Sequence, residues 1–198
     1  MQGRIRLLAF TVVLATTTGA IAPTAAQDRI GIYFDPDDLT MCADYPPNPT
    51  SWQSGIYLIL TDLTATCGIV GLSCRVDTEG DGAVLGAATI LHDFTGDTGL
   101  DTGAICIGFA PYLPWAPVLP IAEFSILVLE PTEVRFFIRP NPACGPAQIY
   151  CTPAMELSRT ITLTPTSGHS ARHVAVINGD CSTPGEIVTW GRVKALYR

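Results

Sequence analysis

The stretch Ala104–Arg139 decides the fold class. It begins with a short apolar run, Ala104-Ile-Cys-Ile-Gly-Phe109. A proline ladder follows, Pro111-Tyr-Leu-Pro-Trp-Ala-Pro-Val-Leu-Pro120. It closes with two apolar runs, Ile121–Leu129 and Val134–Ile138, separated by Glu130-Pro-Thr-Glu133. The pattern reads as strand, stiff connector and hairpin. Side chains alternate with period two along a strand, so Phe124, Ile126 and Val128 share one face, as do Val134, Phe136 and Ile138. Both sets must face a core, and a one-residue slip would turn one of them to solvent. A hairpin register follows: Val128 with Val134, Ile126 with Phe136, Phe124 with Ile138. Glu123 would then face Arg139 on the outer surface.

The ladder places Pro111, Pro114, Pro117 and Pro120 at a strict period of three, the repeat of a polyproline II helix. Tyr112, Trp115 and Val118 form a second ridge, and Leu113, Ala116 and Leu119 a third. At about 3.1 Å per residue the segment spans roughly 30 Å, enough to cross from one sheet of a sandwich to the other. It is either a ligand for an aromatic groove or a rigid connector whose two apolar ridges pack on the domain. Free ligands of this kind usually sit in polar, disordered sequence, which favours the connector.

Outward from this stretch, strands are expected at Arg29–Phe34, Gly55–Thr61, Thr66–Val76, Ala83–Leu91, Gln148–Cys151, Arg159–Thr164 and His173–Asn178. About ten short strands without a long helical period predict a single all-β domain, a β-sandwich of immunoglobulin-like or cohesin-like type. It would occupy residues 27–188.

Residues 1–26 read as a signal peptide: Arg4 and Arg6, the apolar Leu7–Ala15, then small residues to Thr24-Ala-Ala26. Its apolar core is too short for a membrane span, and no later apolar run reaches 18 residues. The expected location is therefore secreted: extracellular, cell-surface or periplasmic. Without the signal the chain keeps nine basic residues against eighteen acidic ones, a net charge of −9. That disfavours nucleic acid and anionic membranes as partners.

All seven cysteines lie beyond the signal, where disulfides can form. Gly145-Pro146 makes a turn between Cys144 and Cys151, so that bridge is expected first. Cys67 and Cys74 have the same spacing and suggest a second. The rival is that Cys74 meets Cys106 on a neighbouring strand. No C-x-x-C pair supports zinc.

Asp77-Thr-Glu-Gly-Asp-Gly82 resembles the opening of a calcium loop, with Asp77, Glu79 and Asp81 at positions one, three and five and glycine at six. The twelfth position, where a bidentate Glu belongs, is Ala88. A polar turn has the same composition. Calcium is the one cofactor the sequence suggests. His169 and His173 are spaced like helix-borne metal ligands, but Gly168 and Val174–Ile177 make the segment a loop entering a strand. No nucleophile elbow, P-loop or dinucleotide fingerprint is present. Glu130 and Glu133 stand at a turn, a poor place to raise a carboxyl pKa.

Thr189–Tyr197 is the chain's one good helical candidate, with Trp190, Val193 and Tyr197 on one face. A helix this short is unstable alone, so it is expected to dock on the domain through those three residues, or to be read by a partner as a sorting segment.

The start Gly31-Ile-Tyr-Phe-Asp35 and the end Thr189-Trp-Gly-Arg-Val-Lys-Ala-Leu-Tyr-Arg198 resemble a group of uncharacterised secreted bacterial proteins. In that group such a first strand opens a β domain and a Trp-Gly-x-[Ile/Val]-Lys-x-Leu-Tyr segment often closes the chain. The resemblance implies no activity and carries over no catalytic residue. The layout is also loosely similar to cohesin-like sandwiches, which bind partner modules.

Two functions fit these observations. The first is a non-enzymatic secreted sandwich with a structural or partner-binding role at the cell exterior, its partner a protein or a glycan. The second is a carbohydrate-active module, binding or hydrolytic, with Tyr112, Trp115 and Trp52 as stacking residues or two carboxyls about 5–10 Å apart in a cleft.

Overall fold

The computed structural model describes residues 28–64, 66–96, 102–152 and 159–180. The signal segment and the expected Thr189–Tyr197 helix lie outside the described residues. Those described form thirteen strands and no α-helix. In chain order they are β1 (Arg29–Tyr33), β2 (Cys42–Ala43), β3 (Gln53–Thr61), β4 (Gly68–Glu79), β5 (Ala83–Ile90), β6 (Phe94–Thr95) and β7 (Ala104–Leu113). β8 (Val118–Val128), β9 (Val134–Arg139), β10 (Gln148–Thr152), β11 (Arg159–Thr162), β12 (Thr164–Pro165) and β13 (Ala175–Ile177) complete them.

They build two sheets packed face to face. One runs β12-β1-β3-β8-β5. The other runs β11-β10-β4-β9-β13-β2, with β7 also paired to β4 and β6 to β7. Alternating apolar residues from both sheets meet between them: Ile30, Ile32, Leu58 and Phe124 from the first; Leu72, Ile105, Phe136 and Ile138 from the second. All eight are fully buried. The architecture is the expected all-β sandwich.

The central hairpin is corrected. β8 pairs with β3 and β5, whereas β9 pairs with β4 and β13. The two apolar rows therefore lie in opposite sheets, not side by side in one. Period two fixes which face of a strand is buried but not which sheet the strand joins. Leu129–Glu133 is an arch between the sheets, long enough for the roughly 10 Å separation of packed sheets. Glu123 does not meet Arg139. It sits between Tyr57 and Thr89, and its carboxylate accepts from Gly55 N at 3.1 Å.

A second arch, Gly80-Asp-Gly82, carries the chain from β4 to β5 beside the first. A Cβ on Gly80, whose φ is +117°, would meet Glu133 O at 2.4 Å. One on Gly82 would meet Thr132 Oγ1 at 2.2 Å. These glycines serve the close approach of two arches.

The proline ladder does cross between sheets, from β7 to β8, but the strands take most of it. Only Pro114–Pro117 lies outside a strand, so the continuous 30 Å polyproline helix does not form. Pro120 lies in β8 at a register shift against β3, beyond the last β5 partner, Ile90. A residue without an N–H is tolerated there.

The disulfides also differ from expectation. Cys67 bonds to Cys151, with Cα atoms 5.6 Å apart, and Cys106 to Cys144, 6.2 Å apart. Cys42 is disulfide-bonded as well, and Cys74 is a free, buried thiol. Cys67 precedes β4 and Cys74 lies within it, so the extended chain holds them roughly 23 Å apart, far beyond bonding reach. Cys144 stays in the turn closed by Gly145 N donating to Asn141 O at 2.8 Å, while β10 carries Cys151 away. Asn141 Nδ2 donates to Ile105 O and tethers that turn beside Cys106. Cys74 and Cys106 do sit on neighbouring strands. Ser73, however, pairs with Cys106, so the two sulfurs point to opposite faces.

Candidate functional site

β7 and β4 pair regularly from Arg75/Ala104 to Gly71/Gly108. The next pair is Ile69/Leu113. Five steps along β7 thus match two along β4, and the surplus bulges outward. Ala110, Pro111 and Tyr112 are exposed in that bulge, which contains a cis Ala110–Pro111 peptide bond. A bulge of this kind re-aims the side chains it carries.

The burial of the connector follows the period of three. Leu113 and Leu119 are buried and Ala116 packs partly on the core. Tyr112 is 60% exposed and Trp115 42%, and Val118, the next position of the same period, is exposed as well. The sequence reading had both apolar ridges packing on the sandwich. One does; the aromatic one faces solvent.

Both rings are held in place. Trp115 Nε1 donates to Leu63 O at 3.1 Å. The Tyr112 ring lies on Gly68, where an added Cβ would stand 2.4 Å from Cδ2. Together with Thr66, Cys67, Gly68, Pro114 and Thr152 the two rings line a pocket of about 440 Å³. Cys67, bonded to Cys151, is one of the lining residues, and no lining side chain is charged. Such a pocket can take an apolar or neutral polar group against two aromatic surfaces, with threonine hydroxyls to orient it.

Sequence reasoning named Tyr112 and Trp115 and missed Thr66, Gly68 and Thr152. These arrive through the β4–β10 pairing, in which Thr152 lies opposite Gly68. No local signal in the chain announces a contact between residues so far apart. Trp52 does not join the site. It precedes β3, at the end of that strand remote from the connector, and its ring lies against Gly86 of β5.

The suggested calcium residues take a different arrangement. Asp77 and Glu79 belong to β4 rather than to a loop. Asp77 is bridged by Arg75 at 2.6 Å and by Arg139 at 3.3 Å, and Arg139 also pairs with Glu79. Asp81 stands apart in the Gly80–Gly82 arch. Among the described residues no three His, Cys, Asp or Glu side chains are gathered as a metal set. The Arg139 guanidinium also covers the Phe137 ring, 4.7 Å from its centroid. His169 Nδ1 accepts from Ala171 N at 3.0 Å, and His173 lies edge-on to Phe137, so the two histidines do not converge. Glu133 pairs with Arg135 at its arch.

No helix among the described residues is long and apolar enough to cross a membrane. No protein-family model matches the chain, and no curated protein matches it. Among solved structures, it is similar to a chain in the crystal structure of a CaDoc0917–CaCohA2 complex. The identity is 10%, the TM-score 0.40, and the alignment covers 70% of this chain and 99% of that one.

Proposed function

We propose that this chain is an exported, non-enzymatic binding module whose ligand face is the Tyr112–Trp115 ridge and the pocket beside it. The observation that carries this reading is the orientation of the connector. Its aliphatic ridge is buried, and its aromatic ridge is exposed and fixed. Exposed aromatic rings that are already ordered lose little entropy on binding, and aromatic anchors dominate interface energetics. The disulfides fit an oxidising compartment outside the cytoplasm. The partner this face suits best is a protein that inserts an apolar side chain between the rings. Immobilised protein should capture such a partner from the exported fraction. Trp115→Ala and Tyr112→Ala should each weaken the purified pair roughly tenfold or more while the protein stays folded, as circular dichroism would show. Equal capture by the wild type and both variants would reject the reading.

Glycan binding is the second reading, favoured by Thr66 and Thr152 beside the two rings. Retardation in polysaccharide-containing gels that disappears in Trp115→Ala would select it. Hydrolysis has no support at this pocket, because no carboxylate lines it.

A further inference from the structure

The two rings of the ridge are held by different parts of the chain. Trp115 donates to Leu63 O, and that carbonyl is well fixed. Leu63 is buried, and the Asp28 carboxylate accepts from Thr64 N at 2.7 Å and from Thr64 Oγ1 at 3.0 and 3.1 Å.

Tyr112 has a weaker seat. It lies in the β7 bulge, off the β4–β7 ladder, and its ring rests on Gly68. Gly68 belongs to the last rung of the β4–β10 ladder, Gly68/Thr152, which follows a register shift between Tyr150 and Cys151. The pairing of β11 with β10 ends at Cys151, and that of β7 with β4 ends at Ile69. The rung therefore has neither neighbouring strand alongside it among the described residues. A terminal rung beyond a bulge is where a ladder frays first. One covalent link opposes this. Cys67 and Cys151, each adjacent to one member of the rung, are bonded to each other. Of the pocket residues outside the connector, Thr66, Gly68 and Thr152 are chain neighbours of these two cysteines, and the other is Cys67 itself.

Taking the ridge as the ligand face, we infer that the Cys67–Cys151 bridge is a thiol-controlled switch on it. Closed, the bridge seats Tyr112 and completes the pocket. Open, it releases both and leaves Trp115 in place. Burial directs the opening step. Cys151 is fully buried, whereas Cys67 is only partly so and lines the pocket. The thiolate of a dithiol attacks the Cys67 sulfur, and the S–S bond breaks with Cys151 leaving as thiolate. The dithiol's second sulfur then displaces Cys67 and closes the reagent's own disulfide. The dithiol is oxidised, and its two protons finish on the cysteines. A carrier disulfide runs the same exchange backwards and closes the bridge. Neither Cys106 nor Cys144 lines the pocket, so the state of their bridge should not move either ring.

Two signals in the purified full chain test this. Fluorotyrosine labelling reports the Tyr112 ring, its resonance assigned by Tyr112→Phe. Solvent exchange of the indole proton, assigned by Trp115→Phe, reports Trp115. In Cys67→Ala/Cys151→Ala the Tyr112 resonance should move to the free-tyrosine position while indole exchange stays as in the wild type. Cys106→Ala/Cys144→Ala should leave both signals unchanged. Should either variant unfold, the wild type is titrated with dithiothreitol and its bridges are mapped by alkylation; the Tyr112 change must then follow loss of Cys67–Cys151. A Tyr112 signal unmoved when that bridge is open, or both rings released together, would overturn the inference. Neither signal needs a ligand. Failure of the ligand face, seen as equal capture by Trp115→Ala and Tyr112→Ala, is thus told apart from failure of the switch.

Discussion

Cys74 shows how single positions decide what this fold does with its chemistry. Its side chain faces the core and burial alone pushes the thiol up to about 12. A raised pKa means that the folded state holds the proton more tightly than the unfolded one. The contribution to stability is therefore complete below the unfolded thiol value and falls away as pH climbs from about 9 toward 12. Cys74 should resist alkylation at neutral pH in the native protein and react once denaturant is added, as peptide mapping would show. Labelling of the native protein at Cys74 would contradict its placement. A single step of register separates this thiol from a bridge, since Ser73, not Cys74, lies opposite Cys106. Spacing along the chain carries no such information, and for that reason the cysteine pairs expected from sequence failed. Gly68 is another such position. Gly68→Ala should force the Tyr112 ring off its seat while leaving Trp115 in place. The outcome to look for is weakened binding, with a stability loss on the order of 1 kcal/mol, read from a denaturant titration.

At the scale of elements, the burial pattern of β8 and β9 was readable and their pairing was not. Phe124, Ile126, Val128, Val134, Phe136 and Ile138 are all fully buried, as alternation requires. Alternation is satisfied equally by a hairpin and by an arch, and only contacts with β3, β4 and β5 choose between them. Phe136→Ala should cost about 3–5 kcal/mol, because it removes a fully buried ring from between the sheets. A loss below about 1 kcal/mol would contradict the core assignment. The Asp77–Gly82 segment was ambiguous for a similar reason. Its carboxylates match a calcium loop by spacing, yet β4 extends through Glu79 and lays Asp77 and Glu79 beside Arg75 and Arg139. With those carboxylates already paired, exchanging a chelator for millimolar calcium should leave the melting temperature unchanged. A rise would show that the ion displaces the arginines. Arg139→Ala should destabilise by about 1 kcal/mol, since it uncovers Phe137 and removes partly exposed ion pairs.

For the whole molecule, sequence periodicity and the absence of a long helical repeat were enough for a two-sheet sandwich. They were not enough for its strand order, which depends on pairings between distant segments. The candidate site divides the same way. Tyr112 and Trp115 stood out as aromatics in a ladder of period three, but the pocket needs Gly68 and Thr152 from β4 and β10. The central claim is that the connector ridge is the face that meets a partner. Val118 lies on this ridge and pairs with Thr61, which pairs with Arg29 at the start of β1. Asp37 lies beyond the far end of β1, in an exposed turn at the other end of the sheet. A photo-crosslinking residue placed at Val118 and, separately, at Asp37 in the exported protein tests the claim most directly. The account predicts a discrete crosslinked partner from position 118, lost when Trp115→Ala is added, and none from position 37. Equal crosslinking from both positions, or none from 118, would contradict it.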